Sequence, residues 1–107
     1  MPEISSNQPF LTLINVFTVE PENQAYLIEL IMAATDDGVS RAPGFISATF
    51  HRSLDGGKVA VYSQWRSLED YQAMRIGATS TTTLEQIAKI AQFDLGIYEV
   101  VGIRPEN

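Results

Sequence analysis

Two side chains in this 107-residue chain stand in positions from which they could do chemistry in an apolar setting. Asn15 lies in the middle of the run FLTLINVFTV, residues 10–19, where asparagine is a poor strand former. A buried amide must find partners. Asn15 therefore either bonds locally or points into a polar spot in a cavity. Trp65 is the sole tryptophan and ends an apolar strand just before a short helix. A tryptophan so placed is a core or dimer anchor with one N–H to give. His51 is the sole side chain with an ordinary pKa near neutrality. Alternation groups it with Phe45 and Thr49 at a strand end, and it ranks below the other two. Asp36-Asp37 and Glu20/Glu22 read as solvated helix charges without metal-ligand geometry.

Composition narrows the chemistry further. The chain has no cysteine, which removes thiolate catalysis, disulfides and thiolate metal sites together. Seven basic against thirteen acidic side chains give a net charge of −6, and no basic cluster occurs. Nucleic acid and anionic membrane are thus not expected as partners. Apolar residues at 45% and charged residues at 19% fit a folded domain. The first nine residues are polar and carry Glu3 rather than a basic segment followed by an apolar one, so a signal peptide is not expected. No apolar run is long enough to span a bilayer. The expected setting is cytoplasmic, with a tail over 1–9, one domain over 10–103 and a second tail over 104–107.

The elements that must position Asn15 and Trp65 follow from pattern and punctuation. Residues 10–19 read as a strand. Pro21 and Glu22 suit the start of a helix, along which Tyr26, Leu27, Leu30, Ile31, Ala34 and Val39 recur at helical spacing. Gly38 weakens its last turns, and Pro43-Gly44 ends it. Strands over 45–52 and 58–65 flank the turn signal Asp55-Gly56-Gly57, giving an antiparallel hairpin. Ser67 with Asp70 three residues on resembles a capping box for a helix through about residue 74. Residues 77–81 read as a small-residue loop, and 77–83 is the better lid candidate. A further helix over 82–92 carries Leu84, Ile87, Ala88 and Ala91 inward, and 95–103 is the last strand.

The order βαββαβ is α+β and ferredoxin-like, a four-stranded antiparallel sheet with helices on one face. Both faces of the first and last strands are apolar, whereas a sheet open to water on one side should alternate. A second copy packed through the open sheet face is the economical cover, with Tyr62 pointing toward it.

Four segments carry a family resemblance: LINVFTVEPE at 13–22, PGFISA at 43–48, HRSLDG at 51–56 and QWRS at 64–67. Together, in this order, the chain resembles the antibiotic biosynthesis monooxygenase family of the dimeric α/β-barrel superfamily. The resemblance implies a homodimer of ferredoxin-like subunits that oxidises a polyketide-like phenol or anthrone to a quinone with molecular oxygen, without metal, flavin or haem. It implies that the Trp65 indole N–H and the Asn15 amide hold negative charge on a substrate oxygen. It also places Tyr71 near the pocket, with Val61, Ser63, Phe17 and Met74 as further substrate-binding residues.

Where quinone-forming members commonly have asparagine, this chain has Val61, which offers no donor. Their helical arginine has no clear match either; Gln86 and Lys89 lie nearby. Two functions therefore follow: a cofactor-independent monooxygenase, or a non-oxidative relative that binds a flat apolar molecule. A haem-degrading relative is weaker, since only His51 could ligate iron, and a purely structural dimer leaves Asn15 unexplained.

Overall fold

Period-two alternation makes residues 11–19 the two-faced centre of the sheet. The computed structural model describes residues 10–77 and 81–106. In it β1 (Leu11–Val19) buries Leu13, Phe17 and Val19 on one side and leaves Ile14 and Val16 half-buried on the other. Pro21 opens a 3-10 turn, Pro21–Asn23, rather than the helix itself. The fixed proline φ suits this tight entry. Helix α1 (Gln24–Asp37) follows and buries Leu27 and Ile31. It stops before Gly38, and Val39 falls in a second 3-10 turn, Val39–Arg41, instead of on the helical stripe. Gln24 donates from Nε2 to the carbonyls of Ser53 and Lys58, at 3.2 and 3.0 Å, tying the start of α1 to the following hairpin.

That hairpin pairs β2 (Phe45–Arg52) with β3 (Lys58–Trp65). Its turn needs Gly56, whose φ of 84° is costly for any residue with a Cβ. Asp55 Oδ1 accepts from the Gly57 N–H at 2.9 Å and from the Ser53 hydroxyl at 2.7 Å. Those two bonds, led by the Gly57 N–H, hold the Asp55 carboxyl below its usual range.

One expectation about β2 is corrected here. The register shifts between Phe45 and Ser47, so Phe45 faces the same side as its partner Trp65. His51 and Thr49 keep to the opposite, open face, opposite Ala60 and Tyr62. A bulge inserts one extra residue and inverts the alternation beyond it.

Helix α2 (Leu68–Gly77) runs three residues past the expected end. Its capping box forms as the sequence suggests: Asp70 N–H donates to Ser67 Oγ at 3.1 Å, and Ser67 Oγ–H donates to Asp70 Oδ2 at 3.0 Å. Helix α3 (Thr81–Ile90) begins one residue earlier than expected and ends two earlier. Of the residues expected to form a lid, 78–80 lie outside the described residues; Gly77 ends α2 and 81–83 open α3.

The last strand is also corrected. β4 is Ala91–Tyr98, not 95–103. Its partner β1 pairs out at Thr12 opposite Tyr98, so beyond Tyr98 almost no β1 backbone remains to bond. Val101 is left highly exposed.

The sheet order is β2-β3-β1-β4, antiparallel throughout, with the helices on the face that carries Leu13, Phe17 and Val19. The architecture is ferredoxin-like α+β, as the element order implies. Beneath the helices the core divides in two. Phe17, Val19, Leu27, Ile31, Val59 and Ile87 form one cluster; Leu13, Trp65 and Tyr71 form the other. Among the described residues no helix is long and apolar enough to cross a membrane.

Candidate functional site

A cavity of about 130 Å³ lies where these two clusters meet, roofed by α1, α2 and the turn at Val39. Strand alternation aims Asn15 and Phe17 of β1, and Val61, Ser63 and Trp65 of β3, into it. Tyr71 and Met74 reach it from α2, one turn apart on the same side of the helix. Every residue expected to hold substrate thus lines one void. Leu13, Ile31, Val39 and Leu95 complete it, and sequence reasoning did not single them out as site residues.

Trp65 is fixed from two sides. Its ring meets Phe45 edge to face at 5.4 Å between centroids and Tyr71 at 5.6 Å, with interplanar angles of 86° and 69°. Such geometry sets positive ring edges against negative faces. It holds the only indole at 1% exposure, at the end of β3. Arg75 lies 5.9 Å above the other part of this stack, over the Tyr71 ring, outside the cavity lining.

Asn15 stands directly opposite Val61 on β3 and Leu95 on β4, so its flanking side chains cannot hydrogen-bond with it. Its Oδ1 is buried without a partner. Among the described residues, no protein group pairs with the Asn15 side chain, the Trp65 indole N–H or the Ser63 hydroxyl. Of these groups Asn15 Oδ1 is the atom that is itself buried, and leaving it unpaired costs about 1–3 kcal/mol. A ligand hydroxyl within the cavity can donate to Asn15 Oδ1, and a ligand oxygen can accept from the Asn15 Nδ2, Trp65 and Ser63 donors.

No carboxylate, imidazole, ammonium or guanidinium appears among the described residues of the lining. Charge arising on a ligand here meets neutral donors and apolar walls. Lys89 and Gln86 are exposed on α3 and do not line the cavity, and neither does His51. The His51 Nδ1 lies 3.2 Å from the Ala60 carbonyl, which requires a hydrogen on that nitrogen and turns the ring away from the site. Among the described residues there is no group of three or more His, Cys, Asp or Glu that could hold a metal ion.

The fold and the void together define a small ferredoxin-like domain with a largely apolar cavity between sheet and helices, its lining furnished with neutral hydrogen-bond donors. The antibiotic biosynthesis monooxygenase family model matches residues 10–82, and the chain belongs to that family. It is 47% identical over 74 residues to the tetracenomycin-F1 monooxygenase of Streptomyces glaucescens. That match covers 69% of this chain and 66% of the relative, so the chain spans just under two thirds of the relative's length.

Among solved structures it is similar to a Streptomyces coelicolor monooxygenase in complex with nanaomycin D. The TM-score is 0.80 at 25% identity, covering 96% of this chain and 99% of the other. A cofactor-independent oxygenase from Streptomyces nogalater gives a TM-score of 0.80 at 17% identity, covering 92% and 99%, a likeness of fold.

Proposed function

We propose that this chain is a cofactor-independent monooxygenase that converts a flat, electron-rich, polyketide-like phenol or anthrone to a quinone with molecular oxygen. One observation supports the reading: Asn15 and Trp65, whose side chains have no hydrogen-bond partner among the described residues, line the same largely apolar void. Similarity to the tetracenomycin-F1 and nanaomycin D-bound monooxygenases supports the reaction class.

In an anthrone the reacting carbon bears two hydrogens. Loss of one as a proton to water leaves a delocalised anion whose charge collects on the ring oxygen. Donors fixed around that oxygen stabilise the anion without reorganising, and the apolar walls strengthen each bond. The anion passes one electron to oxygen, and the two radicals join in a carbon–oxygen bond. The peroxide takes up a proton. Loss of the second carbon-bound hydrogen as a proton then breaks the O–O bond. Hydroxide leaves, takes a proton and becomes water, and the carbon becomes the new carbonyl. One oxygen atom enters the product and the other leaves as water.

A cavity of 130 Å³ is smaller than the ~300 Å³ at which drug-sized pockets begin. A three-ring ligand must therefore extend through the open side of the cavity or displace part of the roof. Met74, half-buried and conformationally adaptable, is the side chain on α2 best suited to yield.

The functional unit in this reading is a cytoplasmic homodimer joined through the open sheet face, which carries Ile14, Val16 and Tyr62.

Val61 favours a second reading, a relative that binds a flat apolar molecule without oxidising it, because it removes a donor directly opposite Asn15. Oxygen uptake and absorbance with a panel of anthrones and hydroxynaphthalenes decide between them. Turnover unaffected by chelators supports the oxygenase; tight binding with no oxygen uptake supports the second reading.

A further inference from the structure

Val61 withholds a donor from the cavity wall, yet the next cavity-facing residue of the same strand carries one. Ser63 follows Val61 by two positions and so faces the same side of β3, between Val61 and Trp65. Its cross-strand neighbours are Leu13 on β1 and Ala48 on β2, neither with a polar side chain. The hydroxyl lines the cavity and has no hydrogen-bond partner among the described residues. Serine is not there for sheet propensity, since β-branched residues suit the position better. Asn15, opposite Val61, is the diagonal neighbour of Ser63. Diagonal side chains stand about 7 Å apart. One oxygen accepting hydrogen bonds of about 2.8 Å from each side fits that gap.

We propose that the Ser63 hydroxyl donates to the ligand oxygen on which negative charge collects, taking over the task that Val61 cannot perform. The donor set is then Asn15, Ser63 and Trp65, moved two residues along β3 toward the tryptophan. The ligand oxygen sits nearer Trp65, and Val61 packs on the ring edge. The substrate class is that of the monooxygenase reading, a polycyclic phenol or anthrone, and a hydroxyl on its edge beside Val61 would find its acceptor in Asn15 Oδ1 across the ladder. The inference rests on the monooxygenase reading and concerns the same cavity.

The test uses the full chain with the anthrone dithranol, following oxygen uptake and the absorbance of the bound anion against pH. Ser63→Ala is expected to lower kcat/KM about a hundredfold. It should also raise the pH midpoint for formation of the bound anion by about one unit, a tenfold loss of anion at fixed pH. Ser63→Thr, which keeps the hydroxyl, should recover most of both. Val61→Asn should restore Ser63→Ala strongly and improve the native chain much less.

An unchanged anion midpoint in Ser63→Ala, or an equal gain from Val61→Asn in both backgrounds, overturns the proposal while leaving the oxygenase reading intact. Absence of anion formation and turnover in the native chain, with dithranol and with the wider panel, overturns both.

Discussion

Asn15 and Val61 face each other across the β1–β3 ladder, an amide opposite a side chain that cannot answer it. The unpaired Asn15 Oδ1 is the local cost of that arrangement, and in the proposed function the same amide offers its Nδ2 hydrogens to the ligand oxygen. Asn15→Leu tests the trade directly. It replaces a poorly paired amide with an apolar group of similar length, so stability in urea should stay level or rise by up to about 1 kcal/mol. Turnover should fall about a hundredfold if the amide holds the ligand anion. A variant that loses stability and activity in step would instead make Asn15 a structural residue.

The open sheet face has its own test. Val16 lies mid-strand on that face, between Ala60 and Asp94 in the ladder, with Tyr62 and Ile14 nearby. Val16→Glu places a second carboxylate directly opposite Asp94 where a second sheet would pack, and burying it unpaired costs several kcal/mol. In the proposed reading the native chain sediments as a dimer, and the variant should sediment as a monomer at the same concentration, with its circular dichroism retained.

These two residues also mark how far the sequence could be read. Asn15 and Trp65 were legible because alternation on β1 and β3 aims both at the helices, and a polar residue amid an apolar strand announces itself. Tyr71 came within reach because Ser67 and Asp70 fix where α2 begins. Leu13, Ile31, Val39 and Leu95 were not distinguishable as cavity residues, since aliphatic side chains look alike until helices dock on the sheet. The bulge lies within Phe45–Ser47, and Gly44 before it reads equally well as the end of the preceding turn; the bulge moved Phe45 away from His51 and onto Trp65. β4 was misplaced because Val101 and Ile103 continue a strand-like pattern past the end of the partner strand.

The hairpin turn should respond to acid. The Asp55 carboxyl is held below its ordinary value of 3.8 by the Gly57 N–H and the Ser53 hydroxyl. A depressed folded-state pKa contributes stability that is present above the ordinary value and lost as pH falls through the folded value. The native chain should therefore lose part of its turn stabilisation only below pH 3.8. Asp55→Asn keeps an acceptor for the Gly57 N–H but has no charge to titrate. Its Tm should vary less with pH in that acid range than the native Tm, as read by thermal melts across the window.

Gly44 links the backbone to the site. Its φ is 87°, its carbonyl accepts from the Arg66 N–H at 2.8 Å, and a Cβ at this position would run into the Asp70 side chain. Gly44→Ala should destabilise by about 2 kcal/mol from the backbone conformation alone. The collision with Asp70 adds to this and disturbs the capping box that sets Tyr71 against Trp65. Gly38→Ala is the control: Gly38 has φ of −143°, and the nearest atom to an added Cβ is 3.8 Å away. It should fall within about 0.5 kcal/mol of native. Urea titration of both variants separates the two cases.

Trp65 carries packing and chemistry in one side chain, and substitution can part them. Trp65→Phe keeps a ring between Phe45 and Tyr71 but removes the N–H. It should cost about 1–2 kcal/mol of stability, less than the 3–5 of a truncation to alanine. If the indole N–H serves the ligand anion, kcat/KM should fall at least tenfold further than stability loss explains, and the bound-anion midpoint should move to higher pH. The measurement is kcat/KM at a denaturant-free temperature well below the variant's Tm, where both chains are fully folded. A phenylalanine variant with native turnover and an unmoved anion midpoint would leave Trp65 as an anchor for Tyr71 alone, and would shift the burden of charge stabilisation to Asn15 and Ser63.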